Sequence, residues 1–337
     1  MKAWVLHDIG GPQSFVLEEV ATPEPGPGEV RVKLTASALN HLDIWTSLGM
    51  PKPHLPHIAG ADGAGIIDAV GEGVTAVRPG EEVVVNPSVG CGVCAACLRG
   101  DTPLCSTYQI LGEHRWGTLA EYVVVPDRNV LPKPEQLAWE EAAAYGLATG
   151  TAHRMLRRAR LNAGDVLLVV GVGGGVSSAG LALGKAMGAT VYVTSTITDK
   201  ICRAIQQGAA GGFNSTNQFA KDLKRELGHG ADVVLENVGP ATWEQSVRSL
   251  EPGGRLVTCG STSGTKVEIT VPYLFFKQLE IMGSTMFDYD EFAAVTELVG
   301  NGRVPVAIDK IFDFGQLPMA LARLEAGQQL GKIVLRF

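Results

Sequence analysis

The first third of the chain is patterned with a period of two. Val30, Val32 and Leu34 alternate with Arg31 and Lys33 directly after the Pro/Gly-rich turn at 23–28, the signature of a strand with one buried face. GAGIIDAV (63–70), EEVVVNP (81–87) and AEYVVVP (120–126) are short apolar runs, each bounded by glycine or proline, so strand is expected to follow strand. Crossover helices are scarce before about residue 138. A small antiparallel or barrel-like domain accounts for that pattern.

The period then changes. LAWEEAAAYGLATGTAHRML (137–156) is helical in propensity, and DVLLVV (165–170) is a continuous apolar run of the buried parallel-strand type. A glycine-rich turn follows, then a helix over SSAGLALGKAMG (177–188) and a strand over TVYVTS (190–195). The alternation continues through Asp199–Gln207, Phe219–Gly228, ADVVLENVG (231–239), Thr242–Leu250, GRLVTCG (254–260) and LEIMGST (279–285). Repetition of this kind predicts a doubly wound parallel sheet. The last fifty residues are mixed, end in a strand at GKIVLRF (331–337), and are expected to rejoin the first domain. The fold class is therefore α/β, with a β-rich domain over 1–138 and 286–337 and a dinucleotide-type domain over 139–285.

Composition narrows the class. At 337 residues, 45% hydrophobic and 19% charged, the chain can bury a core and is long enough for two domains. A net charge of −7 argues against a nucleic-acid partner, since phosphate contacts need a lysine and arginine surplus. The start MKAWVLHD reaches His7 and Asp8 before any signal-type apolar core, and the longest uncharged run, Val166–Gly184, carries GVGGGVSSAG at its centre. Neither a targeting segment nor a membrane span is expected, and the expected location is cytoplasmic.

Two motifs carry chemistry. GVGGGVS (171–177) lies between a buried strand and a helix start, where bare backbone can approach a pyrophosphate at the helix N-terminus; an ordinary strand–helix turn is the plainer alternative. Ser177 stands where a third glycine or alanine is usual. An NAD-preferring site needs a carboxylate at the end of the second strand, and this chain has Ser195 and Thr196 there with Lys200 shortly after. Hydroxyls and a cation suit a 2′-phosphate, so NADP(H) is expected, with NAD(H) open through a shifted Asp199. The second motif is Cys91, Cys94, Cys97 and Cys105 within a lobe at about 88–106. Four nearby thiolates can enclose one structural Zn²⁺; an iron–sulfur cluster fits less well, because the fourth spacing differs and no proline follows. Cys202 and Cys259 are isolated and are expected as buried small hydrophobes.

Together these features resemble the medium-chain dehydrogenase/reductase superfamily, the zinc alcohol dehydrogenase and quinone oxidoreductase group. The likeness covers essentially the whole chain: PEPGPGEVRVK (23–33), NHLD (40–43), PHIAGADGAG (56–65), the cysteine lobe, GTLAEY (117–122), the glycine turn, GRLVTCG, EIMGST and GKIVL. It implies a GroES-like catalytic domain, a Rossmann nucleotide domain, a cleft between them and a homodimer or homotetramer. It also implies that Gly174, Gly175, Val176 and His41 meet the pyrophosphate, that Ser195, Thr196 and Lys200 meet the ribose phosphate, and that Thr151, Gly260, Ser261, Gly283 and Ser284 frame the nicotinamide.

The departures from that family bear on the reaction. The three catalytic zinc ligands of its zinc-dependent members fall on Asn40, Ala61 and Leu147, and the proton-relay position on Leu42. A zinc-bound water drops from a pKa of about 15.7 to about 7, which corresponds to assistance on the order of 12 kcal/mol. Without it, reduction of an already electrophilic acceptor, a quinone or an enone or enal, is the expected reaction. Asn40 and Asp43 match the N-x2-D pattern of the zinc-free quinone oxidoreductases and would orient substrate or cofactor. The alternatives are an alcohol dehydrogenase with relocated ligands, His41, His57, Asp43 and Asp62 being the residues near enough in sequence, and a nucleotide-binding protein without turnover. Tyr273 and Lys277 have a Y-x3-K spacing in the wrong context for a short-chain reductase. His54 and His114 read as loop residues.

Overall fold

A computed structural model describes all 337 residues, whose contacts divide them into two units. The first is Met1–Gly150 with Phe287–Gly302 and Val306–Phe337; the second is Thr151–Met286 with Arg303–Pro305.

The alternating N-terminal pattern becomes an antiparallel meander. β1 (Lys2–Leu6) pairs with β2 (Phe15–Glu19), and β3 (Glu29–Ala38) is followed by α1 (His41–Ser47), β4 (Asp62–Val70) and β5 (Glu82–Val85). β6 (Ser88–Val89), α2 (Ala95–Leu98) and β7 (Gln109–Ile110) build the cysteine lobe, and β8 (Tyr122–Pro126) and β9 (Val130–Pro132) return to the main sheet. α3 (Trp139–Ala144) and α4 (Gly146–Arg158) follow. Val30, Val32, Leu34, Ile67, Val83, Val85, Val123 and Val125 form one buried cluster between these strands, each worth about 1.5–3 kcal/mol of apolar burial.

The second unit is the doubly wound sheet. In chain order it runs β10 (Val166–Val169), α5 (Gly175–Ala186), β11 (Thr190–Ser195), α6 (Thr198–Gln206), β12 (Gly211–Asn214), α7 (Phe219–Leu227), β13 (Ala231–Glu236), α8 (Pro240–Ser249), β14 (Leu250–Thr258), α9 (Val271–Lys277) and β15 (Glu280–Gly283). Its six strands are all parallel, in the order β12-β11-β10-β13-β14-β15. Leu167, Leu168 and Val169 are fully buried, because helices cover both faces of such a sheet. Gly180 and Gly184 let α5 lie close on it, since an added Cβ would meet Leu235 Cδ1 at 2.9 Å and Leu167 Cδ2 at 2.6 Å.

The chain then returns to the first unit as α10 (Tyr289–Gly300), β16 (Ile308–Asp313), α11 (Leu317–Glu325) and β17 (Lys332–Arg336). β17 pairs antiparallel with the C-terminal half of β3 (Val334 opposite Ala38), while β8 takes the N-terminal half of the same edge and β4 takes the other edge (Asp62 opposite Ala38).

Two expectations are revised. The first unit extends to Gly150 rather than 138, because α3 buries Ala142, Ala143 and Ala144 while packing on β3 and β4. The stretch of helical propensity over 137–156 forms two helices, separated at Tyr145. The break has a long-range cause: the Leu147 amide donates to Asp62 Oδ1 at 2.6 Å, so a buried carboxylate starts α4. A Cβ at Gly146 would stand 2.7 Å from that oxygen.

Candidate functional site

In the second unit the glycine turn leaves β10 with Gly171 at φ 75° and Gly173 at φ 138°, backbone that side chains disfavour. Gly174 is the N-cap of α5 and has no side-chain cap, so the first amides of the helix, those of Gly175 and Val176 among them, lack intrahelical acceptors. Nothing lies within 4 Å of a Cβ built at Gly174. Ser177 is buried and donates to Val170 O at 3.2 Å, while its oxygen accepts from Asn237 Nδ2 at 2.8 Å. It therefore ties the turn to the end of β13 rather than acting only as a small residue.

At the end of β11, Ser195 is buried and its Oγ accepts the Ile197 amide at 3.2 Å, whereas Thr196 is exposed. No carboxylate ends the strand. Lys200 is buried in the first turns of α6, not projected into solvent. Gly260 and Ser261 follow β14, and Gly283 and Ser284 close and follow β15; the register pairs Thr258 with Gly283, and the Ser284 amide donates to Thr258 O at 2.8 Å. These four residues thus share one end of the sheet. The hydroxyls of Thr151, Ser178 and Ser284 are buried without a hydrogen-bond partner, a costly state in isolation that suits a polar ligand. An uncapped helix start, open space before it and orphaned hydroxyls fit a dinucleotide.

The cysteine lobe is assembled as expected. The Sγ atoms of Cys91, Cys94, Cys97 and Cys105 all lie within 4.8 Å of one another, against about 3.8 Å for the edge of a tetrahedron with 2.3 Å Zn–S bonds. Amides already point at sulfur: Cys94 N to Cys91 Sγ at 3.3 Å, Val93 N to Cys91 Sγ at 3.5 Å and Cys91 N to Cys105 Sγ at 3.4 Å. The Val93 and Cys94 amides hold the Cys91 thiol below its ordinary range. The Thr107 hydroxyl, with the Cys91 amide, brings Cys105 down to about 6. Burial pushes Cys97 the other way, up to about 11. The donors at Cys91 and Cys105 favour thiolate and suit a zinc ion, while Cys97 needs the ion itself to ionise.

In the first unit the positions that the family resemblance assigns to catalytic zinc ligands are occupied by Asn40, Ala61 and Leu147. Ala61 and Leu147 carry no donor atom in their side chains. Asn40 is buried and committed: Nδ2 donates to Asp62 Oδ2 at 3.0 Å and to Ala38 O at 3.4 Å, and Oδ1 accepts from Lys332 Nζ. Lys332 also donates to Asp62 Oδ2 at 2.9 Å, with side-chain exposures of 5% and 0%. The Asp43 carboxylate accepts the Asn40 amide at 2.8 Å and the Gly60 amide at 3.0 Å, tying the start of α1 to the segment before β4. Burial pushes Asp43 up to about 7, against the opposing pull of the Asn40 amide and Lys332. Burial, with Lys332 nearby, lowers His41, whose ring centroid lies 6.2 Å from that of Trp45.

Lys332 was not among the expected site residues, and Asp62 was weighed only as a relocated metal ligand. Register explains their meeting: two residues back along β17 from the Val334–Ala38 pair brings Lys332 alongside Asn40, and Asp62 opens β4 on the other edge of β3. The only sequence signal was the lysine of GKIVL, which reads as an ordinary strand start.

The remaining candidates resolve simply. Lys277 Nζ donates to Leu250 O at 2.7 Å and the Tyr273 ring lies under Arg248, so the Y-x3-K pair is held structurally. His57 is buried against Gly112 O at 3.0 Å, and His114 Nδ1 accepts the Ile110 amide at 3.1 Å. Cys202 is exposed, contrary to expectation, because the inner face of α6 is taken by Lys200, Ile201 and Ala204; burial pushes the Cys259 thiol up to about 12. No helix is long and apolar enough to cross a membrane.

Residues 26–135 match the alcohol dehydrogenase GroES-like domain family, and residues 175–301 the zinc-binding dehydrogenase family. A crotonyl-CoA reductase of Streptomyces avermitilis is 32% identical over 95% of this chain and 81% of its own length. The crystal structure of an NAD-dependent alcohol dehydrogenase superposes with a TM-score of 0.96 at 40% identity, covering all of both chains. A 2-octenoyl-CoA carboxylase reductase in complex with NADP and 2-octenoyl-CoA superposes with a TM-score of 0.94 at 28% identity, covering 99% of this chain and 87% of that one. The chain belongs to the zinc-binding dehydrogenases with a GroES-like domain, within the medium-chain dehydrogenase/reductase superfamily, and is an oxidoreductase.

Proposed function

We propose that the protein is an NADP(H)-dependent reductase of electrophilic acceptors, alkenes conjugated to a carbonyl and quinones, working without a catalytic metal. The observation that carries this reading is the Asn40–Asp62–Lys332 cluster. Where a Lewis acid would be liganded, two of three side chains have no donor atom and the third has spent its amide on its neighbours. Alcohol oxidation without a metal leaves the alcohol proton to a base that this cluster does not offer, because Asp62 is already paired with Lys332. Reduction of a conjugated acceptor spreads the developing charge over its own oxygen, and a few hydrogen bonds suffice. Relatives named for the reduction of enoyl-CoA thioesters, one of them holding NADP, point the same way.

Bound NADPH supplies the hydride. The amides at the start of α5, from Gly174 to Val176, receive its pyrophosphate, Ser195 and Thr196 its ribose phosphate, and Thr151 and Ser284 the polar edge of the nicotinamide, with Gly260, Ser261 and Gly283 leaving room beside them. Asn40 and Asp43 act in the first unit by holding the loop after β3 against the start of β4. A zinc ion at Cys91, Cys94, Cys97 and Cys105 holds its lobe and does no chemistry. The edge strand β15, with Phe275 57% and Phe276 80% exposed nearby, supports self-association through the second unit. The test is NADPH oxidation against enoyl thioesters, enals, enones and quinones, with primary alcohols and NADP⁺ run in reverse. Turnover of conjugated acceptors is expected; activity confined to alcohols overturns the reading.

A further inference from the structure

Neither the nucleotide turn nor the cysteine lobe uses the most deeply buried ion pair of the first unit. Lys332 Nζ sits between Asn40 Oδ1 and Asp62 Oδ2, the latter at 2.9 Å. Asp62 Oδ2 also accepts Asn40 Nδ2 at 3.0 Å, and Asp62 Oδ1 accepts the Leu147 amide at 2.6 Å. One ammonium and one carboxylate thus gather the end of β3, the start of β4, the start of α4 and β17. Three of those segments carry or adjoin positions 40, 61 and 147, to which the family resemblance assigns the ligands of its zinc-dependent members.

We propose that the Lys332 ammonium is the resident cation of this site: it takes the electrostatic place of a divalent ion, cross-links β17 to β3 and β4 through Asn40 and Asp62, and closes the site to metals. The oxygens that a metal would need are engaged. Asn40 Oδ1 faces the ammonium, and both oxygens of Asp62 accept hydrogen bonds from inside the cluster. A divalent ion brought to them would lie within a few ångströms of a buried positive charge, at a distance where repulsion is strong in a dry interior. Removing the ammonium reverses this situation. Asp62 then holds a buried charge with only neutral donors beside it, a state that attracts a cation. Lys332 is a positioning residue here, acting on Asn40 and Asp62.

Manganese(II) uptake, followed by electron paramagnetic resonance on the full chain with zinc on its cysteines, tests this, because manganese prefers oxygen donors and leaves thiolates alone. Wild type and K332R, each with a cation in place, should take up no manganese at this site. K332M should bind it at least about tenfold more tightly than wild type, and D62N/K332M should return to the wild-type result. Equal uptake by wild type and K332M, or by K332M and the double variant, overturns the proposal. Should K332M not fold, K332Q keeps a donor for Asn40 and Asp62 without the charge and carries the same comparison. No substrate or nucleotide enters the measurement, so its failure is separate from failure of the reductase reading.

Discussion

The cysteine lobe and the Asn40–Asp62–Lys332 cluster are two answers to the problem of holding chain segments together with charge. In the lobe, four thiol groups from a stretch of fifteen residues, Cys91 to Cys105, converge, with backbone amides already favouring the ionised form of Cys91 and Cys105; the balancing charge must come from an added ion. In the cluster the balancing charge is part of the chain. Asp62 and Lys332 are 270 residues apart and meet at 2.9 Å in a fully buried setting. A site whose donors are all anionic is completed by a metal and is lost with it. A site that contains its own cation needs none, but either partner is then costly to remove.

The largest effect expected from breaking this contrast is in the lobe. Cys97→Ser should abolish zinc retention, measured as metal content per chain, and unfold the lobe, because structural zinc binding is worth about 10–16 kcal/mol; chelation of the wild type should act likewise. Next is Asp62→Asn, which leaves the Lys332 ammonium buried without its counter-charge. A loss of about 3–5 kcal/mol in urea unfolding is expected, with zinc content unchanged. A loss under about 1 kcal/mol would show that the pair behaves as an exposed one.

Acid should separate the two regions by sign. Asp43, pushed by burial up to about 7, keeps a proton in the folded chain that the unfolded chain releases near its ordinary value of about 3.9. Stability from this group is therefore present at low pH and falls as pH rises through about 4 to 7, by at most about 1.4 kcal/mol per unit. Asp43→Asn should flatten that slope in urea titrations. The lobe runs the other way, since protonation of its thiolates releases zinc as pH falls. The smallest effect is at the start of α4. Gly146→Ala gains up to about 1 kcal/mol of helix propensity but sets a Cβ at 2.7 Å from Asp62 Oδ1. A net loss of about 1 kcal/mol by thermal melting is expected, and a gain would show that the carboxylate can move aside.

Much of the fold could be read along the chain because its signals are local. The alternation at Val30–Leu34 became β3, the apolar run at 165–170 contains β10, and Gly171 and Gly173 take the backbone angles that the turn requires. The cysteine cluster was legible for the same reason: spacing within one loop limits how its thiols can be arranged. The helix break at Tyr145 was not legible, because it is caused by Asp62, some 85 residues earlier. Nor was the engagement of Asn40, whose N-x2-D pattern suggested a group that orients substrate or cofactor; its amide also bonds Asp62, Ala38 and Lys332.

By itself, then, the sequence determined the α/β class, the glycine turn, the four-thiol spacing and the presence of Asn, Ala and Leu at positions 40, 61 and 147, all of which depend on residue type or short spacing. Only the tertiary structure decided what stands beside those positions. Strand register is a long-range property: the pairing of β17 and β4 with opposite edges of β3 brings an ammonium from the C-terminus to a carboxylate from the first fifth of the chain. A lone Lys and a lone Asp carry no mark of that meeting until the sheet is formed.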